Sequence, residues 1–200
     1  MTHLVLSSTA SAQDARQHRS RLLEGMAHAV AERGYADTTI ADIVREASVS
    51  RRTFYEHFST KAECLVALYE AASHNGLKVL RDAIDPSHDW EQQVERALGA
   101  YLQCMASNPV LMRTLFIEIL GLGAEGLAAR RRVNQEIAAY MLDVVNRSDG
   151  HLAVTPDLAM AVVGGIHELV LQAIEDGKVT ELAELTATAT QLVKAVVHRR

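Results

Sequence analysis

A short stretch near residue 50 concentrates side chains that can bind the phosphates and base edges of nucleic acid. Arg51 and Arg52 are adjacent there, and an arginine can hold a phosphate or bind guanine through two parallel hydrogen bonds. We expect these two arginines to read bases and the hydroxyl, imidazole and ammonium groups around them to bind mainly phosphates. The candidate contacts with double-stranded DNA are Thr39, Ser50, Arg51, Arg52, Thr53, Tyr55, His57 and Lys61.

Two short helices joined by a turn would position these side chains. Thr39 and Asp42 have the spacing of a capping box, which predicts a helix that starts at Thr39. Ser50 can cap a second helix, on which Phe54 and Phe58 are four residues apart and face inward. This arrangement predicts a helix-turn-helix, which offers its second helix to a DNA groove. A basic surface helix has the same composition, so composition does not separate the two interpretations.

The flanking segments complete a three-helix head. Apolar residues at helical spacing predict a first helix over Ala12–Arg33, which Gly34 would end as a C-terminal cap. Thr60 and Glu63 have the spacing of another capping box, which predicts a long helix from Lys61 onward.

The head resembles a known protein family from Arg19 to about Leu68. The positions that carry the resemblance are Gly34, Tyr35, Thr38, Thr39, Ile40, Asp42, Ile43, Ala47, Val49, Ser50, Thr53, Phe54, Tyr55, His57, Phe58 and Lys61. At these positions the chain is similar to the TetR family of transcriptional regulators. One position departs from the family pattern, because Ser48 stands where the family usually has glycine. Serine can occupy the turn only at some conformational cost.

The resemblance implies how the whole chain works. Members of the family dimerise through their last two helices, which form a four-helix bundle. A small ligand, held among the middle helices, controls their binding to palindromic operators. The resemblance therefore implies a homodimeric, ligand-responsive repressor, whose two reading helices lie about 34–36 Å apart.

Composition agrees with a helical protein. The 200 residues are 48% hydrophobic with only three prolines, and no strand pattern occurs. We predict an all-α chain of about nine helices. The expected units are a mobile tail at residues 1–15, a helix-turn-helix DNA-binding domain at 16–60, and a helical regulatory, ligand-binding and dimerisation domain at 61–200. No signal peptide pattern or membrane-spanning apolar run is evident, so we expect a cytoplasmic protein without a membrane partner.

The net charge of −5 is unusual for a DNA-binding protein. Residues 1–63 contain eight Lys or Arg and eight Asp or Glu, so the whole net charge arises in residues 64–200. Affinity for DNA would then depend on a local basic surface rather than on bulk charge. Cys64 and Cys104 both lie in apolar helical patterns, which indicates buried thiols rather than a disulfide or a metal site.

Start and stop signals predict the later helices. Asp89, Asn108 and Thr155 are caps, and proline follows two of them. Residues 148–150 form a predicted loop. The predicted helices are Lys61 to about Ile84, Trp90–Ser107, Pro109–Leu120, Ala124–Arg147, a helix from Pro156 that ends at Asp176, and Thr180–His198.

The middle helices are rich in methionine and leucine and contain few polar groups, which favours a cavity for a small apolar or amphipathic ligand. A long-chain acyl compound or a lipophilic drug would fit this pattern. Each residue taken singly fits ordinary core packing better. The run Arg130–Arg132 fits a solvated helix face better than ligand contact. The candidate lining residues are Tyr101, Met105, Met112, Phe116, Glu118, Asn134, Tyr140, Met141 and His167.

The last two helices carry apolar residues on more than one face. A single chain covers one face, so a second copy would cover the other. Gly164 and Gly165 would allow close helix approach, either within one chain or between two. The candidate dimer residues are Val163, Gly164, His167, Leu171, Ile174, Leu185, Leu192 and Val196.

Motifs of catalysis do not occur in the sequence: it has no H-E-x-x-H, G-x-S-x-G, P-loop or C-x-x-C. We therefore assign no catalytic residue, cofactor or metal. The sequence favours a DNA-binding transcriptional regulator, a repressor released from its operator by a mostly apolar small molecule. A helical ligand-binding or adaptor protein without DNA binding is the alternative, and an enzyme comes third.

Overall fold

The computed structural model describes residues 3–85, 87–146 and 154–197, with side chains from Gln13 onward. Within these ranges every regular element is helical, as predicted. The predicted loop at 148–150 and the chain end at 198–200 lie outside the described residues. The α-helices are α1 His3–Asp37, α2 Ile40–Glu46, α3 Arg51–His57, α4 Lys61–Asp82, α5 Trp90–Ala106, α6 Pro109–Phe116, α7 Ala124–Asn146, α8 Pro156–Glu175 and α9 Thr186–Val197. A first 3-10 helix, Glu118–Leu122, precedes α7, and a second, Val179–Leu185, precedes α9.

Capping residues mark most helix starts, as predicted. The Thr39 hydroxyl accepts from the N–H of Asp42, and the Asp42 carboxylate accepts from the N–H of Thr39 at 3.0 Å. Thr60 caps α4, but the Glu63 carboxylate accepts from the N–H of Ser59 rather than from that of Thr60. Four other predicted caps likewise accept a hydrogen bond from the backbone N–H three residues later. They are Ser50, Asp89, Asn108 and Thr155.

Helices α1 to α3 pack around a small apolar core and form the head. Leu22, Ile43 and Phe54 are fully buried in it. The turn between α2 and α3 passes through Ser48 at φ 49°, a left-handed conformation that glycine adopts without steric cost. The Arg21 guanidinium donates to the Ser48 carbonyl at 2.7 Å, so α1 holds this turn in place.

The start of α1 differs from its predicted start near Ala12. The helix begins at His3, so most of the segment expected to be a mobile tail is helical. Residues 3–24 contain no glycine or proline that would interrupt a helix. The helical path is broken at Gly34, at φ 75° and ψ 161°, where the cap was predicted.

Two predicted α-helices are partly 3-10 helices. The helix from Pro109 ends at Phe116 instead of Leu120, and the predicted helix from Thr180 is α-helical only from Thr186. Residues three apart share a face in a 3-10 helix, which suits the buried pair Val179 and Leu182. A spacing of three also fits an α-helix, so the sequence does not separate the two forms.

The remaining helices form the body, residues 61–197. Helix α5 packs against α4, α9 and the second 3-10 helix, while α7 packs against α4 and α8. Within the described residues, α8 is the one continuous helix long and apolar enough to cross a bilayer by length and composition, which the sequence reading overlooked. In this fold α8 is a core helix, with Ala159 and Val170 fully buried.

Candidate functional site

Helix α3 directs its polar side chains away from the head. Arg51, Arg52 and Tyr55 are exposed, Tyr55 to 59%, whereas Phe54 and Phe58 on the other face are buried. The inward pair stacks at a centroid distance of 5.8 Å. This packing fixes the direction in which the candidate DNA-contact residues point.

The two arginines of α3 differ in their partners. The Nε of Arg52 donates to the Glu56 carboxylate at 3.0 Å, but both side chains are more than half exposed, so the pair is weak. Arg51 makes no ion pair with any carboxylate in the described part of the chain. Arg51 is therefore the more available cation on this face.

The hydroxyl groups near the start of α3 are already engaged. The Ser50 hydroxyl accepts from the N–H of Thr53 at 3.0 Å, and the two hydroxyl oxygens are 2.9 Å apart. His57 is half-buried at the end of α3, with its ring 6.5 Å from that of His18 in α1. These three side chains border the exposed face rather than stand at its centre.

Lys61, which was predicted to bind a phosphate, makes its hydrogen bonds within the head. Its ammonium group donates to the carbonyls of Tyr35 and Thr38 at 2.7 Å each, and to that of Ala36 at 3.4 Å. The ammonium nitrogen also lies 4.2 Å from the Tyr35 ring centroid. Lys61 therefore ties the start of α4 to the end of α1 and to Thr38, and its ammonium N–H groups already have acceptors.

Thr39 is exposed, but its hydroxyl is committed to the start of α2. It donates to Asp42 Oδ2 at 2.6 Å. The hydrogen bonds from the hydroxyl and N–H of Thr39 lower the pKa of Asp42 to about 2. Arg45 adds a hydrogen bond to the same carboxylate at 3.0 Å. Thr39 and Asp42 therefore form a helix cap whose carboxylate is negatively charged near pH 7. The Thr39 hydroxyl serves this cap first and a phosphate contact second.

A cavity of about 210 Å³ lies in the body, enclosed by α4, α5, α6, α7 and α8. Helix α4 connects this cavity directly to the head. The predicted ligand residues that line it are Tyr101, Met105, Met112, Phe116 and His167.

A buried polar pair stands in the wall of this cavity. The Tyr101 hydroxyl lies 3.2 Å from His167 Nε2, and the Phe116 ring meets the imidazole edge-on at 5.5 Å. Burial and, to a smaller extent, the positive charge of Arg130 lower the pKa of His167 to about 4. Burial also raises the pKa of Tyr101. Both groups are therefore neutral near pH 7, and they offer hydrogen bonds without charge.

Three predicted ligand residues lie elsewhere. Tyr140 and Met141 line a separate apolar cleft of about 90 Å³, and Arg81 covers the Tyr140 ring at 5.3 Å. Asn134 is buried beside a groove between α7 and α8, and its Oδ1 has no hydrogen-bond partner within the described residues. Helical periodicity identified all three as inward residues but not the space into which they point.

The fourth misplaced ligand residue is Glu118, which binds the head. Its Oε2 accepts from the backbone N–H of Tyr35 at 2.9 Å. The break at Gly34 removes Tyr35 from the regular helix, so this N–H is available to a side chain. Glu118 therefore links the first 3-10 helix, directly after cavity-lining Phe116, to the end of α1.

The cavity is also lined by residues that were not predicted, including Tyr69, Ser73 and Arg130. Tyr69 continues the apolar stripe of α4 that starts at Leu65, which was a usable signal. Burial raises the pKa of the Tyr69 phenol to about 12. Arg130 carries no local signal, since the two residues after it are also arginines and only the fold selects which one faces inward.

The predicted dimer residues separate into two groups. Val163, His167 and Ile174 are at most 7% exposed within one chain, so they are wrong as contacts with a second copy. Within the chain, α8 packs against α6, α7, α9 and the second 3-10 helix. The residues that keep partial exposure are Gly164, Leu171, Leu185, Leu192 and Val196.

The outward stripe of α8 consists of Leu158, Ala161 and Leu169, which share one face of the helix and are at least partly exposed. Leu158 is 41% exposed. A Cβ on Gly165 would lie 3.3 Å from Leu192 Cδ2, so this glycine lets α9 approach within the chain. The outward stripe, rather than the buried residues, is the candidate contact with a second copy.

The two cysteines are free and differ in exposure. Cys64 is fully buried, and burial raises the pKa of its thiol to about 12. Cys104 is only half-buried, contrary to the prediction, and it lines the cavity.

Comparison with known proteins identifies the head. Residues 22–68 match the model of bacterial regulatory proteins of the tetR family. TtgR, an HTH-type transcriptional regulator of Pseudomonas putida, is 34% identical over 79 residues, which cover 37% of this chain and 38% of that protein. The chain thus spans well under two thirds of the curated relatives that it matches at this identity.

Two further matches extend over most of the chain. The fatty acid metabolism regulator protein of Bacillus subtilis (strain 168) is 19% identical over 188 residues, covering 90% of this chain and 95% of that protein. The crystal structure of the regulator FadR from Bacillus subtilis, in complex with stearoyl-CoA, has a TM-score of 0.72 at 15% identity and covers 90% of this chain and 99% of that one. This likeness shows a shared fold. Residues 22–68 therefore match the tetR family of bacterial regulatory proteins, and the chain as a whole shares the fold of a solved transcriptional regulator.

Proposed function

We propose that the protein is a transcriptional repressor that binds operator DNA as a homodimer and is released by a small ligand in its body. The observation that supports this most is the outward face of α3, where a free arginine and a 59% exposed tyrosine stand on a firmly packed head. A helix of this kind fits the major groove. As a DNA-bound regulator, the protein would act in the bacterial cytoplasm.

The proposed division of labour on α3 follows from the partners of each side chain. Arg51 reads bases. Arg52 also reads bases, once DNA has displaced Glu56 from its weak ion pair with this arginine. Ser50, Thr53, Tyr55 and His57 bind phosphates at the edge of the groove. Lys61 and Thr39 stabilise the head and act on DNA only through it.

The test is DNA binding by the purified full-length protein to fragments selected from a random pool. We expect Arg51→Ala to weaken binding to the selected operator by about 1–3 kcal/mol and to relax specificity. Arg113→Ala, on an exposed position of α6, is the matched control and should bind as the parent does. If Arg51→Ala instead lost the same affinity for every DNA sequence, Arg51 would contact only phosphates and would not read bases.

The same assay separates the alternative function. A helical ligand-binding or adaptor protein would show no salt-sensitive affinity for DNA, whereas a regulator should lose affinity steeply as salt rises. The fall in log affinity with log salt then counts the phosphates that the dimer contacts. Turnover of a substrate would instead favour an enzyme.

The proposed route from ligand to DNA runs through α6. This helix supplies Met112 and Phe116 to the cavity, and the chain then reaches Glu118, which binds the Tyr35 N–H of the head. A ligand that displaces α6 would thereby move the head, beside the direct connection through α4. Reciprocity requires DNA to weaken ligand binding by the same factor.

A further inference from the structure

The cavity of the body has one positive charge in its wall. Arg130 lines it, and the lining residues include no Asp or Glu. Arg130 makes no ion pair with a carboxylate in the described ranges, although Arg132, two residues on, pairs with Glu70 at 2.6 Å. A guanidinium keeps its charge in proteins. The half-buried Arg130 thus lacks a counter-charge at the place where a ligand would lie.

The other polar groups of the cavity are neutral. The bonded pair of Tyr101 and His167 is buried, and the low pKa of His167, about 4, keeps its imidazole uncharged near pH 7. The phenol of Tyr69, with a pKa raised to about 12, is uncharged as well. Arg130 is therefore the one full charge among the lining residues, and it selects for a negative group.

The size and the apolar side of the cavity limit the rest of the ligand. Leu111, Met112, Leu115, Phe116 and Val133 form an apolar wall. A volume of about 210 Å³ is below the roughly 300–1,000 Å³ of ordinary ligand pockets, so the space suits a compact ligand better than the long acyl chain that the sequence suggested.

We propose that the cavity binds a small carboxylic acid with a compact apolar body, its carboxylate on Arg130 and its body against Met112, Leu115 and Phe116. This deepens the proposed function, on which it rests for the regulatory role of the cavity. A carboxylate matches the two parallel donors of one guanidinium. A doubly charged phosphate would keep an uncompensated charge in a desolvated space, which is strongly unfavourable.

Calorimetric titration of the full-length protein tests the proposal with benzoate, phenylacetate and hexanoate, against benzamide, phenylacetamide and hexanamide. We expect at least one acid to bind at least tenfold more tightly than its amide. Arg130→Gln should abolish this discrimination, and Arg130→Lys should retain part of it because the charge remains. Arg131→Gln, on an exposed neighbouring position, is the matched control and should discriminate as the parent does. Circular dichroism verifies that each variant is folded.

Two results would overturn the proposal: equal binding of acids and amides, or acid binding that Arg130→Gln leaves intact. Failure of all three acids to bind at millimolar concentration, with palmitoyl-CoA binding instead, would overturn it as well. Adding operator DNA separates the two proposals. Acids that bind without changing DNA affinity support the carboxylate site and contradict its regulatory role. DNA release by a neutral or long-chain compound alone supports the regulator and contradicts the carboxylate site.

Discussion

His167 is a buried base whose surroundings decide its charge. Its pKa of about 4 in the folded chain is below its ordinary value of 6.5. Between these two values the unfolded chain binds the proton and the folded chain does not. The contribution of His167 to stability is therefore complete above pH 6.5 and is lost as the pH falls toward 4.

We expect His167→Gln to reduce the acid sensitivity of folding, because the amide can keep a hydrogen bond to Tyr101 and does not titrate. The loss of unfolding free energy between pH 7 and pH 4 should be smaller in this variant by about 3 kcal/mol. Urea unfolding at several pH values measures it. His28→Gln, exposed on α1, is the control. Parallel pH profiles for His167→Gln and the parent would contradict the assignment.

Single residues also show where sequence reasoning reaches its limit. The predicted caps were correct because a cap depends on a backbone N–H three residues away. The partners of Lys61 and Glu118, the carbonyl of Tyr35 and its N–H, were not predicted because they are 26 and 83 positions away along the chain. No local pattern reports such a contact.

At the scale of elements, the contact between the first 3-10 helix and α1 is the least expected feature. Glu118 is the first residue of that element, and a Cβ on Gly126 would lie 1.8 Å from the Ile119 carbonyl oxygen. The glycine thus lets α7 pass close enough to fix the 3-10 segment. Helix bounds could be predicted where caps and prolines occur, but not where a neighbouring backbone sets the local form.

Removing the Glu118 carboxylate should loosen this contact. Glu118→Ala leaves the Tyr35 N–H without its acceptor, which should lower stability by about 1–3 kcal/mol. The exchange of the Tyr35 amide proton, followed by NMR, should accelerate at least tenfold. Glu118→Gln keeps an acceptor oxygen and should have a smaller effect, and Glu125→Ala, exposed at the start of α7, should have little. Unchanged protection of Tyr35 in Glu118→Ala would mean that the head is held by other contacts.

At the scale of the whole molecule, periodicity found the helices of the body but not the partner of each face. The sequence pattern of an apolar stripe is the same whether the stripe is covered by its own chain or by a second copy. The buried Val163 and Ile174 belong to the first case. For the second case we propose the outward stripe of Leu158, Ala161 and Leu169.

The outward stripe leads to a prediction for the dimer. Leu169→Glu would place an unpaired carboxylate in the proposed interface, at a cost of several kcal/mol, and should separate the two chains. Light scattering should then give a mass near the 21.9 kDa of one chain, where the parent should give about twice that value. Leu127→Glu, at a 51% exposed position of α7, is the control and should remain dimeric. An unchanged mass for Leu169→Glu would move the interface to another face.

Because the two thiols are buried to different extents, a thiol-reactive reagent should modify one cysteine of the natural chain in preference to the other. Cys64 is sealed in the core with a pKa near 12, so an electrophilic dye meets little thiolate there. Cys104, half-buried in the cavity wall, is then the preferred target. The rate at which Cys104 is alkylated therefore reports whether the cavity is occupied, since any compound that fills the cavity should shield that sulfur. A library could be screened in this way before any operator or natural effector has been identified.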